Sequence, residues 1–247
     1  DAGPLMSIAG GTSPDIIYVN FRQSDTYISQ GFLAPLDEYV AQMSPKEKEG
    51  RIPPSVEPVV NRLGPGGKHY WAIPEQEPLA MVLLYRLDLF RAAGLDPEKP
   101  PRNWDELHEY ARKIADPSRG IYALGFYTGQ FGSWGVYSYL CSAGVQTVTQ
   151  QSDATWRATF DTPEAVTAFE FVDELQKEQV TKNGKTGPMA YRSSDLWGKW
   201  SDGQLAMMFN YSGGGQVNID PQLIGMAPVP KGPTGKSSSE VNCRMMG

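Results

Sequence analysis

The chain has little of what several functional classes require. Its 247 residues include two cysteines and two histidines. Cys141 and Cys243 lie far apart and share no metal-like spacing with His69 or His108. No zinc motif results, no metal or cofactor is expected, and two buried free thiols are expected rather than a disulfide. No run of about 18 apolar residues occurs, so no segment is long enough to cross a bilayer as a helix. No cluster of Lys and Arg stands out, and the net charge is −6 with a pI of about 5.0. That leaves no electrostatic footprint for nucleic acid. P-loop, nucleophile-elbow and internal-repeat patterns are also missing.

What is present describes a folded protein. Hydrophobic residues make up 40% and charged residues 20%, outside the range of disordered chains. The length allows one large core or two smaller ones. Aromatics reach 11%, an excess that core filling and ligand stacking both explain. The chain opens with DAGPLMSIAGG, as though partway along a helix, and stops at Gly247 without a terminal helix. A shortened chain is therefore expected, and the missing export signal is uninformative.

Helices and short apolar runs alternate, which predicts α/β layering. Asn103-Trp104-Asp105-Glu106 reads as a capping box, followed by Trp104, Leu107, Ala111 and Ile114 on one face. Thr162-Pro163-Glu164 opens a second helix with a predicted stripe of Ala165, Phe169, Val172 and Leu175. Further helices are expected over 87–93, ended by Gly94, and over 36–43. Strands are expected at 15–19, 79–85, 123–126, 205–209 and 223–227, the first of them buried and parallel. Loops are expected at 51–68, 96–102, 182–188 and 228–239, with 46–67 forming an irregular excursion.

Several motifs then follow one another in order. Pro14-Asp15-Ile16-Ile17-Tyr18-Val19 precedes Gly31-Phe32-Leu33-Ala34-Pro35-Leu36. Trp71-Ala72-Ile73-Pro74 precedes the 79–85 strand, Asp88-Leu89-Phe90, Ala93-Gly94-Leu95 and Asn103-Trp104-Asp105-Glu106-Leu107. Gly203-Gln204-Leu205-Ala206-Met207 and Ile224-Gly225-Met226-Ala227-Pro228-Val229-Pro230 close the series. Together these resemble the bacterial extracellular solute-binding proteins of family 1, the sugar receptors of ABC transporters, over nearly the whole chain. The resemblance implies two α/β lobes of the class II periplasmic-binding type, joined by a hinge and holding ligand in the cleft. It places 1–78 and 223–247 in a first lobe and 79–222 in a second, with crossings near 79–85 and 223–230. Both lobes are expected to be incomplete, because the family's opening strand and its segment after the return strand have no counterpart here.

Ligands of open α/β sheets sit at the carboxyl ends of strands. Asn20, Phe21 and Arg22 occupy such a position after the first strand. Glu75, Gln76 and Glu77 stand where the family carries polar cleft residues, although two solvated carboxylates on a loop read the same way. Trp134 falls where the family places a stacking aromatic, with Tyr137 beside it as core or support. Asn210 and Tyr211 follow the 205–209 strand, where the family's usual Trp is replaced by Gly213 or Gly214. Either Tyr211 takes over the platform or the glycines admit backbone amides to the ligand. Trp197 and Trp200 are assigned to helix packing. The expected ligand is a sugar or oligosaccharide, whose C–H faces suit aromatic rings and whose hydroxyls suit amides and carboxylates. A glycerol phosphodiester or other anion is the alternative, with Arg22 the one obvious cation for it. A hydrolase is the third reading, weakened because Glu75 and Glu77 are two apart on one segment. The expected partners are permease subunits, with no nucleic acid, and the protein is expected to be a monomer. It would work in the periplasm or outside the cell, with a lipid anchor as one form of attachment.

Overall fold

The computed structural model describes residues 6–8, 10–12, 14–20, 23–75, 79–153, 155–212 and 219–247, without the side chains of Gln130 and Asn242. The chain divides into two compact units. One comprises Asp1–Leu79, Ser152–Ala154 and Val241–Gly247; the other comprises Ala80–Gln151 and Thr155–Glu240.

The first unit is built from short pieces around one apolar cluster that includes Val19, Tyr27, Ile28, Val56, Trp71 and Met245. The first expected strand shrinks to Tyr18–Val19, which pairs antiparallel with Met245–Met246; that strand in turn pairs antiparallel with Ile73–Pro74. Ile17 and Val19 are buried, whereas Ile16 and Tyr18 are 64% and 42% exposed. A strand covered on both faces would bury all four, so Tyr18–Val19 is an antiparallel strand with one face exposed and not the buried parallel one expected.

The expected irregular excursion is also ordered. A helix spans Pro45–Arg51, and its start is a reciprocal cap: Glu47 N donates to Ser44 Oγ at 3.3 Å, and Ser44 N donates to Glu47 Oε2 at 2.9 Å. The helix Glu57–Val60 leads into a hairpin of Asn61–Gly64 with Gly67–Tyr70. A Cβ at Gly64 would lie 2.5 Å from Ile28 Cγ2 and 2.6 Å from Trp71 Cζ2, so only glycine lets the hairpin close onto the cluster. Trp71 is fixed there by donating from Nε1 to Arg62 O at 2.9 Å.

The second unit carries a sheet in the order Ala190–Ser193, Tyr122–Tyr127, Leu205–Tyr211, Leu79–Arg86 and Ile224–Ala227. The first three run parallel to one another, and Leu79–Arg86 is antiparallel to both of its neighbours in this order. Every residue of Leu205–Tyr211 is buried. The Ile224–Ala227 strand pairs with Leu83–Arg86, so residues 223–240, expected in the first lobe, lie in the second unit. The chain returns to the first unit at Val241, and the ladder of hydrogen bonds with Leu83–Arg86 is the physical reason.

The helices of this unit follow their sequence signals with two differences. Asn103 Oδ1 caps Trp104–Ile114 by accepting from Glu106 N at 2.8 Å, but the Glu106 carboxylate reaches one residue further and accepts from Arg102 N at 2.8 Å. In Pro163–Lys177 the buried stripe is Ala165, Ala168, Val172 and Leu175, and Phe169 is 46% exposed. Spacings of 3, 4 and 3 residues place Ala168 on the inner face and turn Phe169 outward. The expected loop 182–188 is a hairpin of Gln179–Lys182 with Lys185–Pro188. Asn183 and Gly184 adopt φ of 51° and 74°, as a two-residue type I′ turn requires. Trp200 is fully buried against Leu84, Leu196, Leu205 and Met208, with Trp197 packed on that cluster. Arg86 is held beside it: Nε and Nη2 donate to the two Asp88 oxygens at 2.9 and 2.8 Å, and Nη1 donates to Trp200 O at 2.6 Å. Both thiols are free and burial pushes each to about 11; Cys243 is buried, but Cys141 is only half-buried.

Candidate functional site

The parallel ladder between Tyr122–Tyr127 and Leu205–Tyr211 brings their carboxyl ends to the same edge of the second unit. That edge is where ligands of α/β sheets sit. Tyr127 ends one strand, and Asn210 and Tyr211 end the other. After Tyr127 the chain makes a short turn at Gly129–Phe131 and enters the helix Gly132–Ser142, whose first turn carries Trp134.

These segments assemble an aromatic cluster around the indole. The ring centroid of Trp134 lies 5.0 Å from that of Phe131, 6.1 Å from Tyr127 and 5.9 Å from Tyr211. The two tyrosines meet it edge-on, at interplanar angles of 82° and 71°, the favourable arrangement for aromatic quadrupoles. Trp134 is half-buried, while Tyr127 and Tyr211 are buried.

Polar groups tie the cluster together. Asn210 Nδ2 donates to Tyr127 Oη at 2.8 Å, and Asn210 Oδ1 accepts from Tyr211 N at 2.8 Å. Burial, together with the charge of Asp195, pushes the Tyr127 phenol up to about 12 against the opposing effect of its bond with Asn210, so it stays neutral. Tyr211 Oη donates to Glu240 Oε1. A carboxylate, Glu240, is thus in hydrogen-bond contact with this cluster.

Of the residues expected from sequence, Trp134, Asn210 and Tyr211 come together here. Asn20 and Glu75 lie in the first unit. Asn20 is half-buried with its carbonyl accepting from Gln23 N at 2.9 Å; Glu75 is exposed with its N–H donating to Arg244 O at 2.8 Å. Phe21, Arg22 and Glu77 lie outside the described residues, as do Gln76, Gly213 and Gly214. Sequence reading missed Tyr127, Phe131 and Glu240. The first two were within reach, since they flank the loop leading to Trp134, whereas nothing near Glu240 in the sequence marks it.

One group among the described residues has donor atoms close enough to hold a metal ion: His108, Glu174 and Glu178, all within 4.8 Å of one another. Two of them are already hydrogen-bonded to each other. His108 Nε2 is hydrogen-bonded to Glu178 Oε2, and Arg112 Nε donates to Glu178 Oε1 at 2.5 Å. Burial opposes ionisation of Glu178, but these partners outweigh it and hold its carboxyl below the usual range. The group acts as an interlock between Trp104–Ile114 and the end of Pro163–Lys177.

The chain belongs to the bacterial extracellular solute-binding protein family, whose profile matches residues 3–242. It is 29% identical over 231 residues to a protein of Brucella abortus (strain 2308) named as a binding protein, a match covering 92% of this chain and 52% of that protein. It is 31% identical over 136 residues to the sn-glycerol-3-phosphate-binding periplasmic protein UgpB of Escherichia coli (strain K12), covering 53% of this chain and 29% of that protein. Its structure is similar to that of maltose-bound MalE3 of T. maritima, with a TM-score of 0.71, 26% identity and coverage of 98% of this chain and 59% of that one. The fold is therefore that of the two-lobed α/β periplasmic binding proteins. The chain spans about half the length of the first of these relatives. The family and these neighbours are binding proteins. No helix among the described residues is long and apolar enough to cross a membrane.

Proposed function

We propose that this chain is the solute-recognising part of an ABC importer's extracellular receptor, and that its solute is a sugar or oligosaccharide taken up without chemical change. The observation that carries the reading is the half-buried Trp134, framed by Phe131, Tyr127 and Tyr211, with the Glu240 carboxylate bonded to Tyr211. A flat indole suits the C–H face of a pyranose, and a stacking contact adds about 0.5–1.5 kcal/mol beyond the area it buries. Glu240 suits hydroxyl donors and disfavours an anion. The name of the T. maritima neighbour's ligand, maltose, supports the same class. The first unit's Asn20 and Glu75, together with Phe21, Arg22 and Glu77, remain proposed ligand contacts from the family pattern. The proposal includes delivery to permease subunits, action in the periplasm or at the cell surface with or without a lipid anchor, and a monomeric state.

The second reading, a glycerol phosphate or phosphodiester, is favoured by the 31% identity to a protein named for binding sn-glycerol 3-phosphate. Thermal-shift and calorimetric titration with maltose, monosaccharides and sn-glycerol 3-phosphate separates the two. A sugar that binds and is recovered intact after long incubation supports the proposal. Binding of sn-glycerol 3-phosphate alone replaces it with the second reading, and recovered hydrolysis products point to an enzyme.

A further inference from the structure

Asn210 sits where the family pattern suggests a ligand contact, yet its side chain is turned to another task. It is 7% exposed, and both ends of its amide are engaged inside the protein. The acceptor end holds the backbone N–H of Tyr211, and the donor end holds the hydroxyl of Tyr127. These are the two tyrosines whose rings meet Trp134 edge-on from separate strands. The parallel backbone ladder between those strands has its last pair at Met208 and Gly125, short of both tyrosines. Beyond that pair, the Asn210–Tyr127 bond continues the link between the strand ends. The outer end of Tyr211 is held in turn by Glu240.

We infer that Tyr127 and Asn210 are positioning residues that fix the orientation of the Trp134 indole, and that Asn210 is not itself a ligand contact. The inference deepens the proposed sugar platform and rests on it for its meaning. A buried hydrogen bond of this kind orients because each alternative placement leaves a donor or acceptor unsatisfied. Pre-organising the ring removes ordering cost from the binding step, which is how a residue that never touches the ligand raises affinity. Tyr127→Phe keeps the ring and its packing and deletes only the acceptor for Asn210 Nδ2. Asn210→Leu deletes both bonds at similar volume.

The experiment labels the 247-residue chain with 5-fluorotryptophan and assigns its six indole resonances, Trp134 by its disappearance in Trp134→Phe. No ligand is added, so failure of the sugar reading leaves the result readable. Tyr127→Phe is expected to move or broaden the Trp134 line severalfold more than Tyr122→Phe does, with the other five lines nearly still. Tyr122 is the control because its ring pairs with Tyr191 and is not among the rings that meet Trp134, although it packs on the same apolar group as Tyr127. Asn210→Leu is expected to act as strongly, and the double variant no more strongly than Asn210→Leu alone, since both remove one linkage. Should Asn210→Leu fail to fold, Tyr127→Phe decides the matter by itself. A Trp134 line unmoved in Tyr127→Phe, or fully additive effects in the double variant, overturns the inference.

Discussion

The two units use backbone and side chains in different proportions. In the second, Leu205–Tyr211 is buried throughout and bonded to a long strand on each side, so the sheet itself forms the centre of the core. In the first, the paired strands are only two to four residues long, and bulky side chains such as Tyr27 and Trp71 fill the middle. A long ladder fixes register over many residues, whereas short strands depend on what plugs the space between them. The aromatic cluster follows the same division: it stands on the ends of the long parallel strands, where position is over-determined.

The comparison breaks most visibly at the buried indole of the second unit. Trp200→Ala removes a large side chain with no exposed surface from its cluster, and a loss of about 3–5 kcal/mol is expected in denaturant unfolding. A loss below 1 kcal/mol would mean that the sheet holds without this plug. Gly64→Ala probes the first unit, forcing a methyl onto Ile28 and Trp71 at an expected cost of about 1–3 kcal/mol. Unchanged stability there would mean that the hairpin does not close as tightly as described. Ser44→Ala deletes one helix cap in the first unit and is expected to cost about 1 kcal/mol by the same measurement.

Acid sharpens the contrast by a smaller amount. Burial opposes ionisation of Asp88, but its bonds and charge pairing with Arg86 outweigh that and hold its carboxyl below the ordinary range. A group depressed in the folded state stabilises fully above its unfolded pKa and loses that contribution as pH falls through the folded value. The second unit should therefore lose stability as pH drops below about 4. Replacing Arg86 by Met should flatten that slope, and a slope unchanged in the variant would remove Asp88 as its source.

Much of this organisation was legible in the sequence. The strands at 79–85, 123–126, 205–209 and 223–227 were readable because they are apolar runs that long ladders then extend. Caps at Asn103 and Thr162 were readable because capping is local chemistry. The hairpin of Gln179–Lys182 with Lys185–Pro188 was missed although Asn183-Gly184 is a turn signal, because its strands are polar and largely exposed. Phe169 was misplaced because residue 168 is a small Ala, whose burial leaves no hydrophobic mark. At the site, Trp134 and Tyr211 could be picked out as aromatics after strands. The role of Asn210 could not, because it depends on which strand lies beside which, and Glu240 is brought to Tyr211 only by the tertiary fold.

The account's central claim is that the Trp134 face receives a sugar. Its most direct test is titration of the 5-fluorotryptophan-labelled chain with maltose, with a set of monosaccharides, and with sn-glycerol 3-phosphate, while the Trp134 resonance is followed. The account predicts a saturable shift of that line with at least one sugar and none with sn-glycerol 3-phosphate. A saturable shift with sn-glycerol 3-phosphate and with no sugar would contradict it, as would a sugar that binds by calorimetry while the Trp134 line stays still.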